Sequence, residues 1–288
     1  MDCIICAHQA IFRCKYCSRC QKYVRRHPKA IRRDALKSVW SKELDAFLCY
    51  YTGLKLEETD VEDPFHLVFD HRTPGDPTTL MPVTAFANKL KNALTESEFR
   101  RFVLMLADRL ETGKPFDKDA FELNHYRPAK ARKEPLAPKA EPLRIWSSEV
   151  CLVCGKEPVK NGLYCARCGR ILDLQRWNEY RVEALIKAYD KEADGFRCRY
   201  TGLIVDLDDP QSPWHISFDH RFPTKDGNLV VAVKLVNTMK DQLSEDEFII
   251  IIRNLAKRFR TGEPFDLGGV KFEYWGDWGG DRPKVAKI

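Results

Sequence analysis

Cys49-Tyr50-Tyr51-Thr52-Gly53-Leu54, then Phe69-Asp70-His71-Arg72, then Thr112-Gly113-Lys114-Pro115-Phe116-Asp117: these stretches decide the fold, because each returns 149 positions later. The returns are Cys198-Arg199-Tyr200-Thr201-Gly202-Leu203, Phe218-Asp219-His220-Arg221 and Thr261-Gly262-Glu263-Pro264-Phe265-Asp266. From Cys49 to Asp117 the offset holds without a gap. In a chain of 288 residues this is a tandem duplication of a unit of about 120–150 residues, a usual domain size. Two copies are too few for a solenoid.

Upstream of each copy stands a second repeated pattern. Cys3-x2-Cys6 is followed after ten residues by Cys17-x2-Cys20, and Cys151-x2-Cys154 after ten residues by Cys165-x2-Cys168. Two Cys-x-x-Cys pairs at this spacing offer four soft thiolates, which suit tetrahedral zinc with no open coordination position. Such a site is structural, so two structural Zn2+ ions are expected. Disulfides are the competing use of the same cysteines and require an oxidising compartment. Cys14 stands outside the pattern as a spare thiol, and Cys49 and Cys198 read as small core residues.

The repeat sets the expected domains: 1–126 for copy one, 127–148 for a linker rich in Pro, Lys and Ala, and 149–288 for copy two. Charge is unevenly spread. Residues 1–148 hold 26 basic and 20 acidic side chains, residues 149–288 hold 22 of each, and residues 11–40 alone carry ten basic and one acidic. Such a run points to a polyanion, most often nucleic acid, with a solvated helical face as the alternative. The opening Met-Asp-Cys-Ile-Ile-Cys lacks the basic-then-apolar pattern of a signal peptide, and no apolar run approaches the ~20 residues that span a bilayer. The expectation is an intracellular, cytoplasmic protein with no membrane partner.

Each copy reads in one order: a zinc unit, a helix (about 31–48 and 171–192), the Tyr-Thr-Gly turn, and a strand ending at Asp-His (65–71 and 214–220). A second strand (80–83 and 229–233) and a short helix carrying Asn88 or Asn237 follow. A long last helix starts at the capping boxes Thr95-x-x-Glu98 and Ser244-x-x-Glu247 and stops at Gly113 and Gly262. Phe248-Ile249-Ile250-Ile251-Ile252 is apolar all round one turn, which predicts burial against another domain or chain and leaves a homodimer open.

The recurring Asp-His and Asn, eighteen residues from Asp70 to Asn88 and from Asp219 to Asn237, can carry chemistry. Asp and Asn offer hard oxygen ligands suited to Mg2+ or Mn2+, and neutral imidazole can take a proton from water near pH 7. Together they suit phosphodiester hydrolysis, with one ion per site. The Cys-x-Tyr-Thr-Gly turn, the Phe-Asp-His-Arg strand end and the Asn-x-x-Lys helix resemble the HNH, or ββα-metal, endonuclease family over about Cys49–Asn92 and Cys198–Asp241, and the four-cysteine ribbons resemble those of zinc-bound restriction and recombination endonucleases. The resemblance implies an α+β fold of two tandem zinc-ribbon plus ββα-metal units. They would form a pseudo-dimer in one chain that cuts double-stranded DNA in a restriction-type or homing-type reaction. It casts His71 and His220 as general bases and Asp70, Asn88, Asp219 and Asn237 as ligands of the catalytic ion. Arg72, Lys91, Arg221 and Lys240 are candidate phosphate contacts, as are Arg25, Arg26, Arg32 and Arg33 in the basic run. The alternative function is a non-catalytic, zinc-dependent nucleic-acid-binding regulator on an inactive nuclease fold.

Overall fold

The computed structural model describes residues 2–26, 28–121, 123, 148–158, 162–174, 179–223 and 227–275, without the side chains of 173 and 174. The expected linker, Ser148 apart, lies outside them. The chain is α+β and divides into two compact units. The first comprises Met1–Ala107, Phe121–His125 and Met239–Ile288, and the second Asp108–Ala120 and Tyr126–Thr238. Each unit thus draws residues from both sequence repeats.

In the first unit, α1 (Ser18–Val24) grows directly out of the second cysteine pair, its N-terminus capped by the Cys17 sulfur. Helix α2 (Lys29–Ser38) follows, and buries Ala35 and Leu36. It is shorter than the 31–48 read from sequence. The chain instead turns into a small antiparallel hairpin, β1 (Trp40–Ser41) with β2 (Ala46–Phe47). The turn between them puts Asp45 at φ 46°, a conformation that a continuing helix excludes. Arg19 locks this hairpin to the four-cysteine segment: its guanidinium lies 5.0 Å from the Trp40 ring and 5.2 Å from the Phe47 ring, and it pairs with Glu58.

A second hairpin carries the Asp-His pair. Strand β3 (Leu67–His71) pairs antiparallel with β4 (Leu80–Thr84), Asp70 opposite Met81 and His71 opposite Leu80. Helix α3 (Ala85–Lys91) starts at once, capped by the Thr84 hydroxyl. Cys49 is a core residue, as its isolation in sequence suggested: it is buried, and its sulfur accepts the Thr84 N–H at 3.3 Å. Helix α4 (Glu96–Thr112) buries Phe99, Phe102, Val103 and Leu106.

The second unit repeats the pattern. It holds α5 (Ala166–Leu174) and α6 (Glu179–Ala188), then the hairpins β5 (Tyr189–Asp190) with β6 (Gly195–Phe196) and β7 (Ile216–His220) with β8 (Leu229–Val233). Of the helix expected over 171–192, the described residues are helical through Leu174 and from Glu179 to Ala188, 175–178 lie outside them, and a strand begins at Tyr189. Helix α7 (Lys234–Lys240) carries Asn237.

Helix α8 (Glu245–Thr261) has the full capping box at Ser244 and Glu247, and ends on Gly262 in the left-handed conformation, φ 75°. Its apolar turn is placed in the first unit. Phe248, Ile251, Ile252 and Leu255 are buried there, and Phe259 meets Phe99 edge-on at 6.0 Å. Arg258 Nε donates to the Tyr51 carbonyl at 2.7 Å, and its guanidinium lies so close to Gly53 that a Cβ there would meet it at 2.8 Å. The tail that follows supplies Phe265 and Phe272, which pack on Phe86 at 6.1 and 5.0 Å. In the second unit the matching tail of repeat one supplies Phe116, whose ring lies 5.8 Å from Trp214 and whose N–H donates to the Thr201 carbonyl at 2.8 Å. Among the described residues no helix is long and apolar enough to cross a membrane.

Candidate metal centres and nucleic-acid interface

The eight expected zinc ligands assemble as two clusters, Cys3–Cys6–Cys17–Cys20 and Cys151–Cys154–Cys165–Cys168, each with its sulfurs within 4.8 Å of one another. Cys6 Sγ lies 3.4 Å from Cys17 Sγ and 3.5 Å from Cys20 Sγ, and Cys154 Sγ lies 3.6 Å from Cys165 Sγ. Four thiolates about 2.3 Å from a tetrahedral zinc would stand roughly 3.8 Å apart, so the clusters fit that ion. Each turn is built for the purpose. Ala7 and Gly155 follow the second cysteine of their pairs at φ 60° and 71°, which aims backbone N–H groups at the sulfurs.

Burial opposes ionisation of Cys3, but N–H groups of Cys6, Cys17 and Ile5 bring its pKa down to about 6. In Cys151, against the same burial, the N–H groups of Cys154, Cys165 and Val153 bring it to about 7. Burial pushes Cys6 up to about 11 and raises Cys20 and Cys168 as well. Four thiols so crowded ionise together only around a cation, which is the role a bound metal ion would play here.

The Asp-His-Asn constellation of the first unit is distributed over β3 and α3. Asp70 and His71 are neighbours on β3 and so face opposite sides, Asp70 inward at 6% exposure and His71 half-buried. Both Asp70 oxygens are engaged: Tyr51 Oη donates to Oδ2 at 3.2 Å and Lys91 Nζ to Oδ1 at 3.2 Å. Lys91, only 1% exposed, also donates to the His71 carbonyl at 2.7 Å. Burial raises the Asp70 pKa and lowers that of Lys91, each partly offset by the other's charge. Lys91 is thus committed to the core rather than presented to a phosphate. Asn88 sits half-buried on α3, one turn before Lys91.

In the second unit Asp219 is 3% exposed and accepts a hydrogen bond from the Tyr200 hydroxyl, while His220 is exposed. Asn237 reaches β7, its Nδ2 donating to Ser217 Oγ at 2.6 Å and to the Phe218 carbonyl at 3.2 Å. Lys240 is fully buried. Among the described residues, the two cysteine clusters are the only groups of three or more His, Cys, Asp or Glu that converge as a metal site would require. Tyr51, the residue missed from sequence, was marked by its retention as Tyr200 in the second repeat.

The expected phosphate contacts fall into separate classes. Arg33 is held by the carboxylate of Asp34, Arg25 by Gln21, and Arg72 by Glu96, which also accepts from Tyr50 and Arg100. Arg26 and Arg32 instead line a cavity of about 380 Å3 in the first unit, together with Lys22, Tyr23, His66 and residues 67–69. Arg221 lines a cavity of the same size in the second unit, with Arg109, Lys187, Arg197 and Arg199. Among the described residues no acidic side chain lines either one, although in the second Arg197 pairs with Asp190 and Lys187 with Glu183 from outside the lining. No protein-family model, curated protein or solved structure matches this chain.

Proposed function

We propose that the chain is a non-catalytic protein that binds nucleic acid through a fold stabilised by two structural zinc ions. The observation that carries this reading is the cavity in each unit walled by cationic side chains and, among the described residues, by no carboxylate. A phosphodiester backbone, with one charge per phosphate, is the polyanion that such concavities complement. The burial of Asp70 with Lys91 and Tyr51 supports the non-catalytic part, because a metal ligand must offer an oxygen that the core has not taken. Double-stranded DNA is the proposed ligand. The test is fluorescence anisotropy of a labelled 20-base-pair duplex with the zinc-loaded chain across a salt series. The expected result is binding whose logarithm falls linearly with the logarithm of salt concentration, abolished by zinc chelation. Binding indifferent to salt, or absent, contradicts the proposal.

A second reading is a metal-dependent endonuclease of HNH type. It is favoured by the strand–strand–helix order that places Asp-His at the end of β3 and β7 in both repeats, and by Asn237 lying against β7. In that reading Asp70, Asn88, Asp219 and Asn237 hold Mg2+ or Mn2+, His71 and His220 activate water, and two units in one chain cut both strands as a pseudo-dimer. It requires Asp70 to leave Lys91 and Tyr51 for the ion.

A further inference from the structure

Building on the nucleic-acid reading above, we infer that the first unit's cavity between α1, α2 and β3 is a phosphate site that receives one backbone phosphate, gripped by Arg26 and Arg32 with Lys22 and His66 at its wall. The Arg32 guanidinium lies over the Phe69 ring, 4.3 Å from its centroid, which fixes the plane of its donor fork. Its Nε is buried without a hydrogen-bond partner, and so is Nδ1 of His66. A buried polar nitrogen left unpaired costs about 1–3 kcal/mol, so two such atoms on one cavity mark a site completed by an incoming group. That group must be an anion. Burial and the neighbouring Arg26 charge both disfavour the Arg32 cation, and among the described lining residues no carboxylate answers them. Lys22 leans outward to the Glu58 carbonyl at 2.8 Å and keeps further N–H donors for a ligand at the rim.

A larger cavity in the second unit provides a contrast. In the second unit, Arg167 and Arg170 line a cavity of about 560 Å3 with Asp194, Asp206 and Asp208. Arg167 pairs with Asp194 at 2.9 Å and Arg170 with Asp208 at 3.9 Å, so its cations are answered internally. A phosphate fits the first unit's cavity, where Lys22 is answered by Glu58 at the rim but the Arg32 Nε has no partner and no lining carboxylate, among the described residues, faces Arg26 and Arg32.

The test measures duplex binding against salt for the full zinc-loaded chain and the variants R26Q, R32Q, R32K and R33Q, with zinc content as the folding check. R26Q and R32Q are expected to weaken binding at least tenfold and to reduce the salt slope by about 1, the loss of one phosphate contact. R32K should keep the slope but lose affinity, because a lysine lacks the fork, and R33Q should match wild type. R26Q and R32Q indistinguishable from R33Q would overturn the site while leaving the nucleic-acid reading intact. Should wild type bind no duplex, thermal shift with inorganic phosphate decides the site. A phosphate-dependent rise in melting temperature lost in R32Q keeps the phosphate site and sinks only the nucleic-acid reading. No such rise overturns both.

Discussion

Replacing Lys91 with methionine tests how the buried charge network is used. Methionine keeps most of the stem and its apolar contacts but deletes the ammonium, leaving Asp70 with Tyr51 as its remaining side-chain partner among those described here. Both members of the pair are almost fully enclosed, at 1% and 6% exposure. Removing one partner of such a pair leaves an uncompensated charge and costs about 3–5 kcal/mol. At roughly 2–4 °C per kcal/mol for a unit of this size, the melting temperature should drop by about 6–20 °C. The loss must depend on pH. Burial already holds the Asp70 pKa above its ordinary 3.8, and deleting Lys91 raises it further. A carboxyl with a raised folded-state pKa favours folding below its unfolded value, and that contribution is lost as pH rises through the folded one. The K91M deficit should therefore be larger at pH 7 than at pH 5.5. The double variant D70N/K91M, which removes the charge as well, should recover at least half of it. Urea unfolding of the zinc-loaded chain at both pH values provides the measurement. A K91M deficit under 1 kcal/mol, the same at both pH values, would refute the reasoning.

Other consequences follow from the zinc clusters and the helix exchange. Elemental analysis should find two zinc ions per chain, and Cys3→Ser or Cys151→Ser should each reduce that to one. The fragment 1–126 should fail to give a cooperative unfolding transition by circular dichroism, because the first unit's core takes Phe248, Ile251, Ile252 and Leu255 from α8. Arg258→Ala should destabilise the full chain by about 1–2 kcal/mol in urea unfolding, through loss of the charged hydrogen bond to the Tyr51 carbonyl. At the positive-φ position of the zinc turn, Gly155→Ala should cost about 1 kcal/mol, while Ala7→Gly should be neutral or stabilising in the same assay.

The repeat and the metal-ligand spacing were legible because both are written in short-range sequence. Cysteine pairs converge wherever the turn permits, and the capping box and Gly262 mark α8 within a residue or two. The ends of α2 and of the helix expected over 171–192 were hidden, since the small hairpins that follow them are two residues per strand and leave no periodic signal. The apolar run of α8 announced burial, but the surface it covers depends on contacts about 200 residues apart, such as Arg258 with Tyr51. Alternation along β3 already placed Asp70 and His71 on opposite faces. What sequence could not supply was that Lys91, read as a candidate phosphate contact, closes over the buried carboxylate. Likewise, Arg25, Arg26, Arg32 and Arg33 stood as equal candidates in the basic run until the fold paired Arg33 with Asp34 and left Arg26 and Arg32 on a cavity.

The most direct test is incubation of supercoiled plasmid with the zinc-loaded chain and Mg2+ or Mn2+, with retardation and cleavage read on the same samples before and after protein removal. The account predicts plasmid that is retarded while the protein is bound and still supercoiled once it is stripped away. Nicked or linear product that depends on the added metal and disappears in a His71→Ala plus His220→Ala variant would contradict it.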